Sequence, residues 1–413
     1  MCVDPLRTHL INTLRQNSAP AGNLVLASRK SLRTRSVTIT IILTIAFTQI
    51  SINKFDLGVR LCLEMDLLKE LIVVSEKAAN VARLCRQNEH LFKLLIQKKC
   101  ADEANPRFVD DFKTLADVLI QQLVKHDVGN KFPELVDSIR GEENNTFSNK
   151  LGETIAVEIK KNRQETAALL QIVLNEDSQA AELLATEVHK KVSLDNIHTK
   201  KPGEDFVIDL KDVGIWIDPI DSTAEYINGV EEVDVSGITI SGLKCVTVLI
   251  GVYDKKSGLP IIGIINQPFV ENNGKRWFGR CYWGHPSETS LPPISPLPGT
   301  ICVSSSEDPT VVKKLKETGY HITEASGAGY KILTVITGFA DAYVLTKDST
   351  FKWDTCGPQA ILRSLDGDIV VYASALDKDP ASVTYGIDTT CNTGGIIAYK
   401  DEGVLKDIIK CLT

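Results

Sequence analysis

Trp216-Ile217-Asp218-Pro219-Ile220-Asp221-Ser222-Thr223 sets two aspartates around a proline, directly after an apolar run. That run, VGIWI at Val213–Ile217, reads as a buried strand that delivers Asp218 to its end. Pro219 disfavours a helical residue before it and forces an extended turn. Asp221, Ser222 and Thr223 are types that suit a helix N-terminus, so a helix is predicted after Thr223. The free N–H groups of its first turn, and the positive end of its dipole, would face any nearby anion. By itself, DxxD also reads as a helix cap with solvent-facing acids. The proline and the buried strand bring a chemical site level with that reading.

Further acids lie on either side. Glu142 and Glu143 follow Gly141 in RGEENNTF, a polar stretch that alone reads as solvated loop. Asp354 follows Trp353 in TFKWDTCGPQAIL, where an acid at the opening of a helix alone reads as an N-cap. Asp117 has apolar neighbours Leu115, Val118 and Leu119, and a carboxylate buried there needs a partner, a metal or a hydroxyl. Separated acids with no His or Cys among them suit a hard, oxygen-seeking cation, Mg²⁺ or Mn²⁺ rather than zinc. An anion site beside such ions points to phosphoryl chemistry with two or three metals. Spacing and composition do not say which ester.

Composition agrees with a soluble globular protein. The 413 residues are 43% hydrophobic and 24% charged, which excludes a disordered tail, a collagen-like fibre and a bundle of membrane spans. The formal charge of −7 argues against a broad nucleic-acid footprint. The ten cysteines form no CxxC, so free thiols are expected rather than a disulfide framework.

The first segment differs from the rest. Up to Ile52 its charges are Arg7, Arg15, Arg29, Lys30, Arg33 and Arg35 against Asp4 alone. The run Val37–Ile52 is shorter than the ~20 apolar residues of a membrane-crossing helix. Residues 1–64 are therefore expected to be an unstructured leader or a targeting or anchoring segment, outside the catalytic fold. From Met65 the spacing of Leu67, Leu68, Leu71, Ile72, Ala78, Ala79, Val81 and Ala82 predicts a long amphipathic helix. Phe112–Val124 and Gln164–Val192 read as two more helical regions. Strands follow at Val246–Tyr253 and Leu259–Ile265, with Asp254–Gly258 as a hairpin turn, then at Ile301–Val303, Asp341–Leu345, Ile369–Ala373 and Gly395–Tyr399. Helices are predicted after Asp308, Gly329 and Cys356. This alternation implies helices layered on sheets, an α+β or α/β fold. Lys275 and Arg276 beside Trp277 read as a solvated hairpin tip.

The motifs GEE, DPIDST and WDTC resemble the lithium-sensitive, magnesium-dependent phosphomonoesterase superfamily of inositol monophosphatases, fructose-1,6-bisphosphatases and 3′(2′),5′-bisphosphate nucleotidases. SEKAANVARLCRQ, KTLADVLIQ, GEENNTFSNKLGE, LLATEVHKKV, SGAGYKIL and STFKWDTCGPQAILR are similar to the inositol polyphosphate 1-phosphatase group within it. The likeness runs from Met65 to the C-terminus. It implies a layered α-β-α-β-α sandwich over 65–413, with an α+β half at 65–235 carrying the metal site and an α/β half at 236–413 completing the substrate site. It implies that Glu142, Asp218 and the Ile220 carbonyl hold one Mg²⁺, that Asp218, Asp221 and Asp354 hold a second, and that Glu143 lies near a third. Asp117 and Thr223 would orient and help deprotonate the metal-bound water. Ser222 and Thr223 would meet the scissile phosphate together with Asp221, Gly327 and Ala328 would admit the inositol ring, Lys331 would meet a second phosphate, and Ser306 would lie at the ring.

The activity so implied is Mg²⁺-dependent, Li⁺-inhibited removal of the 1-phosphate from inositol 1,4-bisphosphate and inositol 1,3,4-trisphosphate. The partners would be small inositol polyphosphates, with no nucleic acid and no stable membrane association apart from any anchor in the leader. The protein would be a cytoplasmic monomer. A bisphosphate nucleotidase would share every metal ligand. A non-catalytic binder of inositol phosphates is the other alternative, against which the Asp117–Thr223 pair argues. Ala224-Glu225 and Glu307-Asp308 depart from the pattern and bear on substrate preference.

Overall fold

The computed structural model describes residues 67–98, 112–149, 151–203, 208–291, 299–377 and 379–413. These fall within one compact unit, Leu61–Thr413. The segment 1–64, with its Val37–Ile52 run, lies outside the described residues. Among the described residues no helix is long and apolar enough to cross a membrane, and the described cysteines are free thiols.

Two sheets carry the fold. The first has six strands in the order Glu288–Thr289, Trp277–His285, Pro260–Asn272, Thr247–Asp254, Val213–Asp221, Ile139–Gly141. Only the last pair is parallel. The second has five strands in the order His321–Glu324, Thr300–Val303, Ala342–Leu345, Ile396–Tyr399, Asp368–Val371. Its first three strands run parallel.

Strand periodicity sorts these sheets into layers, because successive side chains point to opposite faces. On the first sheet Ile215, Ile217, Val248, Ile250, Ile262 and Ile264 pack with helix 67–87 and helix Leu115–Lys131. From its other face Trp216, Leu249, Tyr253 and Ile265 join Ile332, Val335, Cys356 and Ile361. Cys302, Tyr343, Leu345, Ile396 and Ala398 of the second sheet enter that same core. Helices Ala328–Thr337 and Lys352–Arg363 are therefore the filling between the sheets. Ile301, Val303, Ala342, Val344, Val370 and Ile397 face outward onto helices Pro309–Glu317 and Glu402–Leu412. The result is an α-β-α-β-α sandwich, as the resemblance implies.

Glycines let the central helix lie flat on the first sheet. A Cβ at Gly263 would meet the Gly357 carbonyl oxygen at 2.0 Å, and one at Gly251 would meet the Gly357 nitrogen at 2.3 Å. Any side chain there would lift the helix that carries Asp354.

Some boundaries differ from the sequence reading. Phe112–Thr114 is a strand, and the helix begins at Leu115 because Thr114 caps it, accepting from the Asp117 N–H. Gln164–Val192 is two helices, Arg163–Val173 and Ser178–Val188. Asn175 and Glu176 between them adopt positive φ, and Asp177 caps the second. The strand read as Ile369–Ala373 ends at Val371, where a short helix starts. Helix Lys352–Arg363 starts before Cys356.

Candidate active site

The strand Val213–Asp221 is buried along its whole length. Strict alternation would turn residues three apart to opposite faces. Asp218 pairs with Leu249, yet Asp221 pairs with Thr247, so one extra residue is inserted between them. This bulge falls at Pro219-Ile220, where proline has no N–H to give the ladder. It brings Asp221 round beside Asp218. Carboxylate oxygens of Asp218, Asp221 and Asp354 all lie within 4.8 Å of one another, and all three residues are buried.

Each acid is held by its own local device. Asp218 Oδ1 accepts from the Ile220 N–H at 3.1 Å. Asp221 accepts from the Ala328 N–H at 3.2 Å, the Gly329 N–H at 2.9 Å and the Thr247 hydroxyl at 3.1 Å. The first two donors open the helix Ala328–Thr337, whose dipole favours an anion there. Asp354 is not an N-cap. It is the third residue of its helix, and its side chain reaches back to accept from the Phe351 N–H at 2.7 Å. Trp353 stacks on Phe351 at 4.7 Å and packs against Trp216 at 5.9 Å.

Burial crowds these charges. Asp218 is driven far above the ordinary carboxylate range by desolvation, then by Glu142, Asp221 and Asp354. Glu142, on the turn after Ile139–Gly141, thus faces the cluster; its N–H donates to the Ile217 carbonyl at 3.1 Å. Asp354 is pushed up to about 8 by burial and by Asp221. Asp221 is raised by burial, with Lys331 the largest opposing influence. Lys331 offsets only part of the cluster's negative charge.

Asp117 and Thr223 meet across the site. Asp117 Oδ2 accepts from the Thr114 N–H at 2.7 Å and hydroxyl at 2.6 Å. Its Oδ1 lies 3.5 Å from Thr223 Oγ1, which also lies 3.2 Å from the Ile220 carbonyl. Ser222 precedes the six-residue helix Thr223–Asn228 at φ 74°, in the left-handed region, with no side-chain cap bond.

Lys331, Gly327 and Ser306 each have close protein neighbours. Lys331 is 2% exposed; its amine donates to the Ala325 carbonyl at 3.0 Å and lies 5.0 Å from the Tyr343 ring. Turned inward, it is a counter-charge to Asp221, because a buried ammonium needs local acceptors and a nearby anion. The close approach that Gly327 permits is to Asp221, whose Oδ2 would sit 2.9 Å from a Cβ at that φ of 74°. Ser306 lies in the loop after Thr300–Val303; its hydroxyl is 3.1 Å from Ser304 Oγ and its carbonyl accepts from Lys347.

Two contributors escaped the sequence reading. Gln121 is fully buried one helical turn after Asp117. Its side-chain amide donates to the Glu143 carbonyl and accepts from the Glu143 N–H at 3.0 Å, fixing the Glu142-Glu143 turn from both sides. Glycine suits position 141 beside it, since a Cβ would fall 2.8 Å from the Ile217 carbonyl oxygen as well as against Gln121 Oε1. The i, i+4 spacing from Asp117 was the available signal. Thr247, on the neighbouring strand, gave none.

Residues 121–405 match the inositol monophosphatase family. Inositol polyphosphate 1-phosphatase of Bos taurus is 42% identical over 394 residues, covering 84% of this chain and 97% of its own. The Mus musculus protein of that name is 43% identical over 385 residues, with the same coverage of 84% and 97%. The Homo sapiens 3′(2′),5′-bisphosphate nucleotidase 1 is 28% identical over 324 residues, covering 73% of this chain and 82% of its own.

Proposed function

The chain belongs to the inositol monophosphatase family, and on that footing we propose that it is a phosphomonoesterase removing the 1-phosphate of inositol 1,4-bisphosphate and inositol 1,3,4-trisphosphate. The observation that carries the phosphomonoesterase reading is the buried Asp218–Asp221–Asp354 cluster beside the Asp117–Thr223 pair, and the likeness to inositol polyphosphate 1-phosphatases supports the choice of inositol substrates.

The donor set fits a hard divalent cation. It offers only oxygen, and its acids are raised by burial and then by one another's charge, which a cation would offset. In the proposal Glu142, Asp218 and the Ile220 carbonyl would hold one Mg²⁺, Asp218, Asp221 and Asp354 would hold a second, and Glu143 would serve a third. When bound, Mg²⁺ supplies Lewis acidity for an attacking water and for the leaving oxygen. The protein's own part is to move a proton and to orient the phosphate. Asp117 Oδ2 is engaged by Thr114, which leaves Oδ1 for the Thr223 hydroxyl. With its hydrogen turned to Asp117, Thr223 Oγ1 presents a lone pair to the water and passes the proton on as the bond to phosphorus forms. The backbone N–H groups of Ser222 and Thr223 are assigned to the scissile phosphate. Gly327, Ala328 and Ser306 are assigned to the ring. Li⁺ is expected to inhibit by competing for the Asp218–Asp221–Asp354 set.

The test is phosphate release from inositol 1,4-bisphosphate and from adenosine 3′,5′-bisphosphate, with Mg²⁺, with and without Li⁺. The expected outcome is a kcat/KM that favours the inositol substrate and falls with Li⁺. A preference for the nucleotide, or no release from either by the wild type, overturns the proposal.

A further inference from the structure

Glu225 lies in the first turn of the short helix Thr223–Asn228, and the sequence reading marked it only as a departure. Its half-buried carboxylate has both oxygens engaged. One accepts from the Gly242 N–H at 2.6 Å, the other from the Ser326 hydroxyl at 2.9 Å. The two donors belong to segments far apart in sequence. Gly242 stands at φ 99°, where a Cβ would come 2.7 Å from the Glu231 Cα, so this turn cannot be rebuilt around another residue. Ser326 is also held through its own N–H, which donates to the Ile240 carbonyl at 2.9 Å. Two and three residues beyond Ser326, Ala328 and Gly329 give their N–H groups to the Asp221 carboxylate.

We propose that Glu225 is a positioning residue: by joining Ser326 and Gly242 it docks the Ser326–Gly329 segment against the helix after Asp221, and so sets the orientation of the Asp221 carboxylate. The inference rests on the reading of Asp221 as a metal ligand. With both oxygens engaged by protein donors, Glu225 acts through the Ala328 and Gly329 amides and not on a ligand. A carboxylate suits this junction because a backbone N–H and a hydroxyl both present hydrogens, and one acceptor group with two oxygens satisfies them together. Partners that orient a metal ligand typically change metal affinity by roughly 10- to 100-fold when removed.

The experiment compares wild type, Glu225→Ala, Glu225→Gln, Ser326→Ala and the double alanine variant in the full chain. Mg²⁺ and Mn²⁺ binding to metal-free protein is measured by calorimetry, beside metal-free thermal unfolding and kcat and KM. Glu225→Ala is expected to weaken metal binding by roughly tenfold or more and to lower kcat at limiting Mg²⁺, with metal-free unfolding little changed. Glu225→Gln keeps an acceptor for Gly242, and its NH₂ can donate to a re-turned Ser326 hydroxyl, so it should bind metal close to wild type. Ser326→Ala should weaken metal binding, and the double variant should be no weaker than Glu225→Ala, since one junction is broken in each. Wild-type metal affinity in Glu225→Ala, or fully additive losses, overturns the proposal. So does a loss confined to thermal stability. An inactive wild type on inositol phosphates would sink the proposed function instead, and the calorimetry would still judge Glu225.

Discussion

Asp354→Asn separates the stability of the cluster from its function. Asparagine keeps the shape and an acceptor for the Phe351 N–H, but removes one ionisable group from a buried set of three acids. Asp354 is pushed up to about 8. A carboxyl raised there from an ordinary value near 3.9 resists ionisation at ~1.4 kcal/mol per tenfold change in proton concentration, about 5–6 kcal/mol in all. Burial is the largest cause and Asp221 the next, and the cost is shared across a coupled set of acids, so one neutral replacement recovers about half or less, ~2–3 kcal/mol. The sign follows from linkage. The folded protein holds a proton that the unfolded chain has released, so metal-free wild type loses stability as pH rises from about 4 to about 8. The gain from Asp354→Asn should therefore be small near pH 5 and fully present near pH 8, as a rise in Tm of a few °C, on the order of 2 °C per kcal/mol. Mg²⁺ should reverse the ranking, raising the Tm of wild type and scarcely that of the variant. The assay is thermal unfolding at both pH values, with chelator and with Mg²⁺, alongside phosphate release. A metal-free variant no more stable than wild type at pH 8, or equal stabilisation of both by Mg²⁺, would refute the account of Asp354 as one acid of a crowded cluster that a cation neutralises.

Three further outcomes are expected. Thr223→Ala should lower kcat by roughly 10²- to 10⁴-fold while calorimetry finds Mg²⁺ affinity near wild type; an equal loss of Mg²⁺ affinity would move Thr223 from proton transfer to metal binding. Gln121→Leu removes both bonds to the Glu143 backbone, and the Mg²⁺ concentration for half-maximal activity should rise by roughly 10-fold or more; an unchanged Mg²⁺ titration would show that the Glu142-Glu143 turn holds itself. Because Asp218 and Asp354 are raised, Mg²⁺ uptake at pH 7 should release protons, seen as a dependence of the calorimetric heat on buffer ionisation enthalpy; heats independent of buffer would place these acids already ionised in the metal-free protein.

Much of the site was legible because its devices are local. Asp117 and Asp354 are each fixed by a bond to a residue three positions earlier, in Thr114 and Phe351. The Asp254–Gly258 turn between Thr247–Asp254 and Pro260–Asn272 needed only Gly258 at positive φ. Lys331 shows the limit. A lysine after a glycine-rich segment reads as a hand held out to phosphate, yet burial in the central core gave it Ala325 and Asp221 as company.

The chain alone determined which acids exist, their order, the alternation of its strands and the capping that starts its helices. These follow from side-chain types and hydrogen bonds a few residues long. Tertiary structure decided that a bulge turns Asp221 to the side of Asp218, that Gly357 presses the Asp354 helix onto Gly251 and Gly263, and that Gln121 and Glu225 find their distant backbone partners. A strand has two faces and an amide many possible partners. Only the packing of segments a hundred residues apart, each with backbone groups to satisfy, selects among them.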